Sequence, residues 1–176
     1  MKVISLDCES NGLGGQVFAA AATLTDDGRE VGRWTARCPI DGAVDPWVAA
    51  NVLPALRGMP ESQPCYDGLL YGWESRWRRW KGLHPDAVMI VHVAWPVEAR
   101  FLRDAHADDL FAGPYPIIDV APLLLAAGHD PRSVDAYLDA HGLAKPDGSP
   151  HHPLYDARAA EAAFRHLMRR LGPVER

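Results

Sequence analysis

Residues 2–37 read KVISLDCESNGLGGQVFAAAATLTDDGREVGRWTAR, and the architecture follows from how they divide. KVISLDCE is expected to be a strand, with Val3, Ile4 and Leu6 apolar and the acids Asp7 and Glu9 arriving at its end. QVFAAAATLT supplies a second strand and REVGRWTAR a third. They are joined at Asp26-Asp27-Gly28, a short polar turn in which glycine gives a positive φ at little cost. Three strands in hairpin succession make a meander. A dinucleotide-binding fold needs a helix directly after its first strand, so NGLGG at 11–15 carries little weight as a nucleotide loop.

Beyond Pro46 the apolar period lengthens. WVAANVLPAL has helical spacing interrupted by Pro54, and a longer helix is expected from Tyr66 to Lys81. AVMIVHV is a continuous apolar run suited to a strand buried on both faces, and PVEARFLRDAHADDLF then reads as a helix with Pro96 at its start. PIIDVA is a short strand, PLLLAAG a helix, and SVDAYLDAHG another, with Ser133 as N-cap and Gly142 as stop. LAKPDGSPHHP is loop-like. YDARAAEAAFRHLMRRL is an amphipathic helix, stopped by Gly172-Pro173. The strand and helix content predicts an α/β protein with a mixed sheet.

The size and composition fit one domain over residues 1–176: 48% of the residues are hydrophobic and 23% charged, enough for a sizeable core. With 23 acids against 18 Lys and Arg the formal charge is -5, so the overall field does not attract a polyanion; any such partner needs a local site. Three cysteines cannot all pair and are too sparse for a disulfide-stapled module, which makes the reducing cytoplasm the expected location. VISL is too short for the apolar core of an export signal, and QVFAAAATLT falls far below the ~20 apolar residues of a bilayer span, so no membrane partner is expected.

Asp7 and Glu9 are separated by one residue, so on a strand they point to the same side of the pleat. Neighbouring anions raise one another's proton affinity unless a cation compensates, which makes a hard metal such as Mg²⁺ or Mn²⁺ an economical explanation. Solvated charges or ion pairs with nearby arginines explain the same pattern. HHPLYDA places Asp156 in the first turn of the last helix and His151 five positions earlier, in a loop. Three acids can hold two cations, and an imidazole with an ordinary pKa of about 6.5 can accept a proton from water. His152 is the rival base, and the bland alternative leaves both histidines exposed and Asp156 as a capping carboxylate.

SLDCESNGL resembles the first motif of the DEDD superfamily of 3′-to-5′ exonucleases, with Asp7, Glu9, Gly12 and Leu13 at its positions. HHPLYDA resembles the third motif of the His-containing (DEDDh) subgroup, which implies His151 as general base and Asp156 as metal ligand. HVAWPVEARFL, from His92 to Leu102, corresponds to the second motif with two departures: Glu98 replaces the usual Asp, and one extra residue follows His92. Asp104 and Asp119 are the spare acids. His92 reads as a hydrogen-bonded structural residue or as a ligand. The resemblance implies a ribonuclease H-like fold, with three antiparallel strands then two parallel ones, flanked by helices. It further implies two divalent cations, Mg²⁺ or Mn²⁺, held by Asp7, Glu9, Glu98 and Asp156, and release of 5′-mononucleotides from the 3′ end of single-stranded RNA or DNA, with RNA slightly favoured.

By the same resemblance, Ser10, Asn11 and Gly12 contact the terminal nucleotide through their backbone and Leu13 borders its base. Trp73, Trp77 and Trp80 share one helix face beside Arg76, Arg78, Arg79 and Lys81. They read as a stacking track for nucleic acid or as a core or dimer face, and a homodimer is consistent with both. Arg158, Arg165, Arg169 and Arg170 read as phosphate contacts or a solvated face, and 142–150 as a flap carrying His151. A catalytically weak binding module and an endonuclease of the same fold are the competing functions, and the Glu98 departure is what keeps the first alive.

Overall fold

The computed structural model describes residues 1–172. Three strands, β1 (Lys2–Ser10), β2 (Val17–Asp26) and β3 (Arg29–Arg37), form the antiparallel meander. Asp27 and Gly28 close the β2–β3 hairpin with φ of 46° and 86°, the two left-handed residues a two-residue turn needs to match the strand twist. β4 (Val88–Val91) and β5 (Ile117–Asp119) add in parallel, giving the order β3-β2-β1-β4-β5. This is the mixed α/β sheet expected, with β1 at its centre.

Side-chain alternation divides the core into two layers. On β1, Ile4, Leu6 and Cys8 join Trp34, Trp73, Phe101 and Leu102 on one face, under α2 (Tyr66–Leu83) and α3 (Val97–Ala105). Val3 joins Ile90, Tyr137 and Phe164 on the other, under α4 (Val120–Ala126), α5 (Val134–Ala140) and α6 (Pro153–Leu171). Asp7 and Glu9 share the parity of Val3 and therefore point toward α6. The alanines of α6 that face inward, Ala157, Ala160 and Ala163, are fully or almost fully buried, which lets the helix lie close to the sheet.

The Trp question resolves toward packing. Trp73, Trp77 and Trp80 are buried; Trp73 packs on Trp34 at 5.6 Å between ring centroids, and the Trp77 indole N–H donates to the Ala112 carbonyl at 2.8 Å. They form no exposed stacking track. Two helix boundaries also differ from expectation. α1 (Pro46–Asn51) stops three residues before Pro54, and α3 ends at Ala105 instead of reaching Phe111: the backbone leaves helical geometry at His106, with φ of -123°, and a separate 3₁₀ turn capped by the Asp109 side chain covers Leu110–Ala112. The expected stop at Pro173 lies outside the described residues. No helix among the described residues is long and apolar enough to cross a membrane.

Candidate active site

A cleft of about 660 Å³ opens at the C-terminal end of β1, lined by Asp7, Glu9, Glu98, His151 and Asp156 among others. Asp7 and Glu9 come from the last residues of β1 and Asp156 from the first turn of α6. Each of the three offers a carboxylate oxygen, all within 4.8 Å of one another. Pro153 at the helix start and the His152 ring, whose Nδ1 accepts from the Leu154 N–H at 3.2 Å, fix where α6 begins. That employs His152 as a cap and leaves His151 as the loop histidine facing the acids. α6 is also held lengthwise: Arg158 pairs with Glu30 of β3 at 2.9 Å, and the Thr25 hydroxyl donates to Glu161 at 2.9 Å, with Arg165 bonded to both. Arg158 and Arg165 are thus engaged within the fold.

Burial and mutual repulsion raise the proton affinity of the whole group. Asp7 is held well above the usual carboxylate range by burial first, then by Asp156, Glu9 and Glu98. Glu9 is pushed up to about 9 by burial and by Asp156 and Glu98. Asp156 is pushed up to about 7 by burial, offset in part by the His151 backbone N–H that donates to its Oδ2 at 2.8 Å. Such clustering is expensive without a counter-cation, and an all-oxygen donor set suits a hard divalent ion rather than a thiophilic one. The residues present fit Mg²⁺ or Mn²⁺.

Glu98 stands apart from this trio. It enters from α3, on the opposite face of β1 from α6, and is only 5% exposed. Its Oε1 accepts from the Cys8 N–H at 3.2 Å, in the part of β1 beyond its pairing with β4. Burial pushes its pKa up to about 8, with Asp119 and Asp156 adding to the rise. The spare acids are occupied elsewhere. Asp119 accepts from the N–H groups of Val93, Ala94 and Ala121, and Asp104 accepts from the Tyr66 hydroxyl and pairs with Arg103. His92 hydrogen-bonds through Nε2 to the Pro131 carbonyl at 2.8 Å; a carbonyl only accepts, so Nε2 carries the proton. That is the structural role rather than a ligand's.

His151 adopts a left-handed backbone with φ of 64° and brings Nδ1 to 4.0 Å from Glu9 Oε1. Its ring lies edge-on to Trp47 at 5.2 Å, and burial lowers its pKa, which favours the neutral ring that can accept a proton. The turn after β1 is tied down from two sides. Gly12, at φ 76°, allows the tight return; Arg100 of α3 donates to the Gly14 carbonyl at 2.9 Å and also to the Gly15 carbonyl. Ser10 Oγ donates to the Gly12 carbonyl at 2.9 Å, and Leu13 stands exposed at the rim. The Asn11 amide is engaged within the fold, accepting from the Asp45 N–H at 2.7 Å and donating to the Ala43 carbonyl at 2.9 Å.

Trp47, Trp95 and Arg132 also line the cleft, all exposed, and none was legible as a site residue. Asp45-Pro46 does read as a helix start, but its neighbour Trp47 reaches the site only through the tertiary fold.

No protein-family model matches the sequence and no curated protein matches it. Solved structures do match. The fold is similar to that of exonuclease X in complex with 5′ overhanging duplex DNA, with a TM-score of 0.61 and 21% identity over 98% of this chain and 94% of that one. It is similar to the nuclease domain of 3′hExo, described as a DEDDh family member bound to rAMP, with a TM-score of 0.68 and 14% identity over 94% and 91%. It is similar also to E. coli exonuclease I in complex with a dT13 oligonucleotide, with a TM-score of 0.66 and 15% identity over 97% of this chain and 42% of that one. The chain therefore has a ribonuclease H-like fold, and spans less than half of the exonuclease I chain. Within that fold its structural neighbours are exonucleases.

Proposed function

We propose that the chain is a metal-dependent 3′-to-5′ exonuclease of the DEDDh kind, hydrolysing single-stranded nucleic acid to 5′-mononucleotides, with residues 1–176 as one exonuclease domain. The observation that carries this reading is the convergence of Asp7, Glu9 and Asp156 within 4.8 Å, with His151 beside them in one cleft. The DNA and rAMP in complex with the exonucleases of like fold support it. Asp7, Glu9 and Asp156 would hold two divalent cations, Mg²⁺ or Mn²⁺, with Glu98 completing the acid set from α3. When bound, the cations supply charge neutralisation at the phosphate and acidify a water molecule.

The chain's own residues do the rest. His151 takes a proton from the attacking water, a role favoured by the burial that lowers its pKa. Asp156 fixes the His151 backbone through its N–H, tying the base to the acid cluster. The backbone of Ser10, Asn11 and Gly12 receives the terminal nucleotide, and Leu13 meets its base.

The test is a single strand labelled at its 5′ end, as DNA and as RNA, with Mn²⁺ or Mg²⁺. Stepwise shortening from the 3′ end, lost in Asp7→Ala and His151→Ala, is expected, together with no cutting of a circular strand. Internal cuts in the circle would make it an endonuclease. One observation favours a weaker enzyme or binding module: Glu98 lies outside the carboxylate trio. Stoichiometric binding without cleavage under both metals would establish that instead.

A further inference from the structure

A general base must hold its ring nitrogen in register with the water it activates, and a misplacement of about 1 Å can cost on the order of 100-fold in rate. Most such histidines are oriented by a hydrogen bond to the second ring nitrogen. In His151 the fixed hydrogen bond is made by the backbone N–H, which donates to Asp156 Oδ2, and this leaves rotation about the side chain unconstrained. Glu9 Oε1, at 4.0 Å from Nδ1, is beyond hydrogen-bond reach. What abuts the ring is the Trp47 indole, at 5.2 Å between centroids and an interplanar angle of 87°.

Trp47 is itself placed by a short relay that begins beside Glu9. The Asn11 side chain grips residues 43–45 at both ends of its amide, accepting from the Asp45 N–H and donating to the Ala43 carbonyl. The Asp45 carboxylate then caps α1, accepting from the N–H groups of Trp47 at 2.8 Å and Val48 at 3.2 Å. Pro46 presets the first helical residue, and Val48 anchors the helix in the core. The rigid end of β1 is thereby coupled, through Asn11, Asp45 and Trp47, to a ring on the far side of the cleft.

We propose that Trp47 is a positioning residue for His151, held in place by the Asn11–Asp45 clamp, so that the segment carrying Asp7 and Glu9 also sets the orientation of the base. This rests on the exonuclease reading for its kinetic consequence and on the geometry alone for its structural one.

Histidine labelled with ¹³C at Cε1 gives eight signals in this chain, and His151→Ala identifies the one that matters. In Trp47→Ala that signal is expected to lose its indole ring-current shift, and in Asn11→Ala to move in the same direction. With a single-stranded oligonucleotide and Mn²⁺, Trp47→Ala is expected to lower kcat about 10- to 100-fold with KM within about threefold, and Trp47→Phe to restore most of the rate. If Trp47→Ala does not fold, Asn11→Ala carries both measurements, with Trp47→Phe as the conservative control. An unmoved His151 signal overturns the inference even if the wild type proves inactive. A rise in KM with kcat intact overturns it too, and makes Trp47 a surface for the substrate. A wild type that hydrolyses no strand defeats the exonuclease reading, while the histidine spectrum still decides the role of Trp47.

Discussion

One oxygen of Glu98 is committed to the Cys8 N–H, which makes side-chain length the variable that matters at this position. Glu98→Asp restores the acid usual in the corresponding motif of the DEDD exonucleases, yet it withdraws the carboxylate by one methylene from a buried donor. It is expected to lower stability by about 1–3 kcal/mol, the usual cost of stranding a buried polar group, and to lower activity as well. Glu98→Gln keeps an acceptor at full reach and should cost less. Thermal melts of the two variants, with turnover on a single strand, check the ordering. Asp7→Asn behaves differently because it removes a repelling charge. It is expected to abolish Mn²⁺-dependent turnover by about 10³-fold or more while raising the melting temperature of the metal-free protein.

At the scale of elements, α2 shows what a sequence does and does not disclose. Its three tryptophans at helical spacing gave the helix and the shared face, but not which neighbour covers that face. Trp34 and Phe101, remote in sequence, close over Trp73. Trp73→Ala is therefore expected to cost about 3–5 kcal/mol and lower the unfolding midpoint in urea, whereas Tyr71→Ala on the exposed face should shift it by no more than about 0.5 kcal/mol. The meander and the later strand–helix alternation were legible because their signals are local: the apolar Val3, Ile4 and Leu6 ahead of the acids in β1, a polar Asp-Asp-Gly turn, an uninterrupted apolar run in β4. Asp7, Glu9, His151 and Asp156 were legible as a pattern, because acids at a strand end and a helix start are written in order. Trp47, Trp95 and Arg132 were not, since single residues with no period give no hint of the cleft they line. α3 ended early without a period to announce it: the apolar pattern runs on through Leu110 and Phe111, but the chain leaves the helix at His106 and Asp109 caps a separate turn.

For the whole molecule, the raised pKa values of Glu9, Glu98 and Asp156, at about 9, 8 and 7, have a definite sign. Unfolded carboxyls titrate near ~4, so between roughly pH 4 and pH 9 these carboxyls bind more protons in the folded, metal-free chain than in the unfolded one. By linkage the contribution of this cluster to stability then falls as pH rises through that window. The gain in melting temperature of Asp7→Asn over wild type, measured in EDTA, should accordingly grow from pH 5 to pH 9. Adding Mn²⁺ should raise the wild-type melting temperature and leave that of Asp7→Asn nearly unchanged, with the larger rise at the higher pH. Proton uptake and metal uptake compete for the same oxygens, so a pH indicator in weakly buffered solution should report protons released on metal addition.

The left-handed backbone of His151 carries a cost of its own, roughly 1–2 kcal/mol for a residue with a β-carbon, that glycine would avoid. Selection for a durable fold alone would discard the imidazole there. Any redesign of this chain toward greater heat resistance that scores positions by conformational comfort will replace His151 early and, on the exonuclease reading, will return a better-behaved protein with an idle cleft. Locking that one position before optimising the remainder is the practical rule the loop imposes.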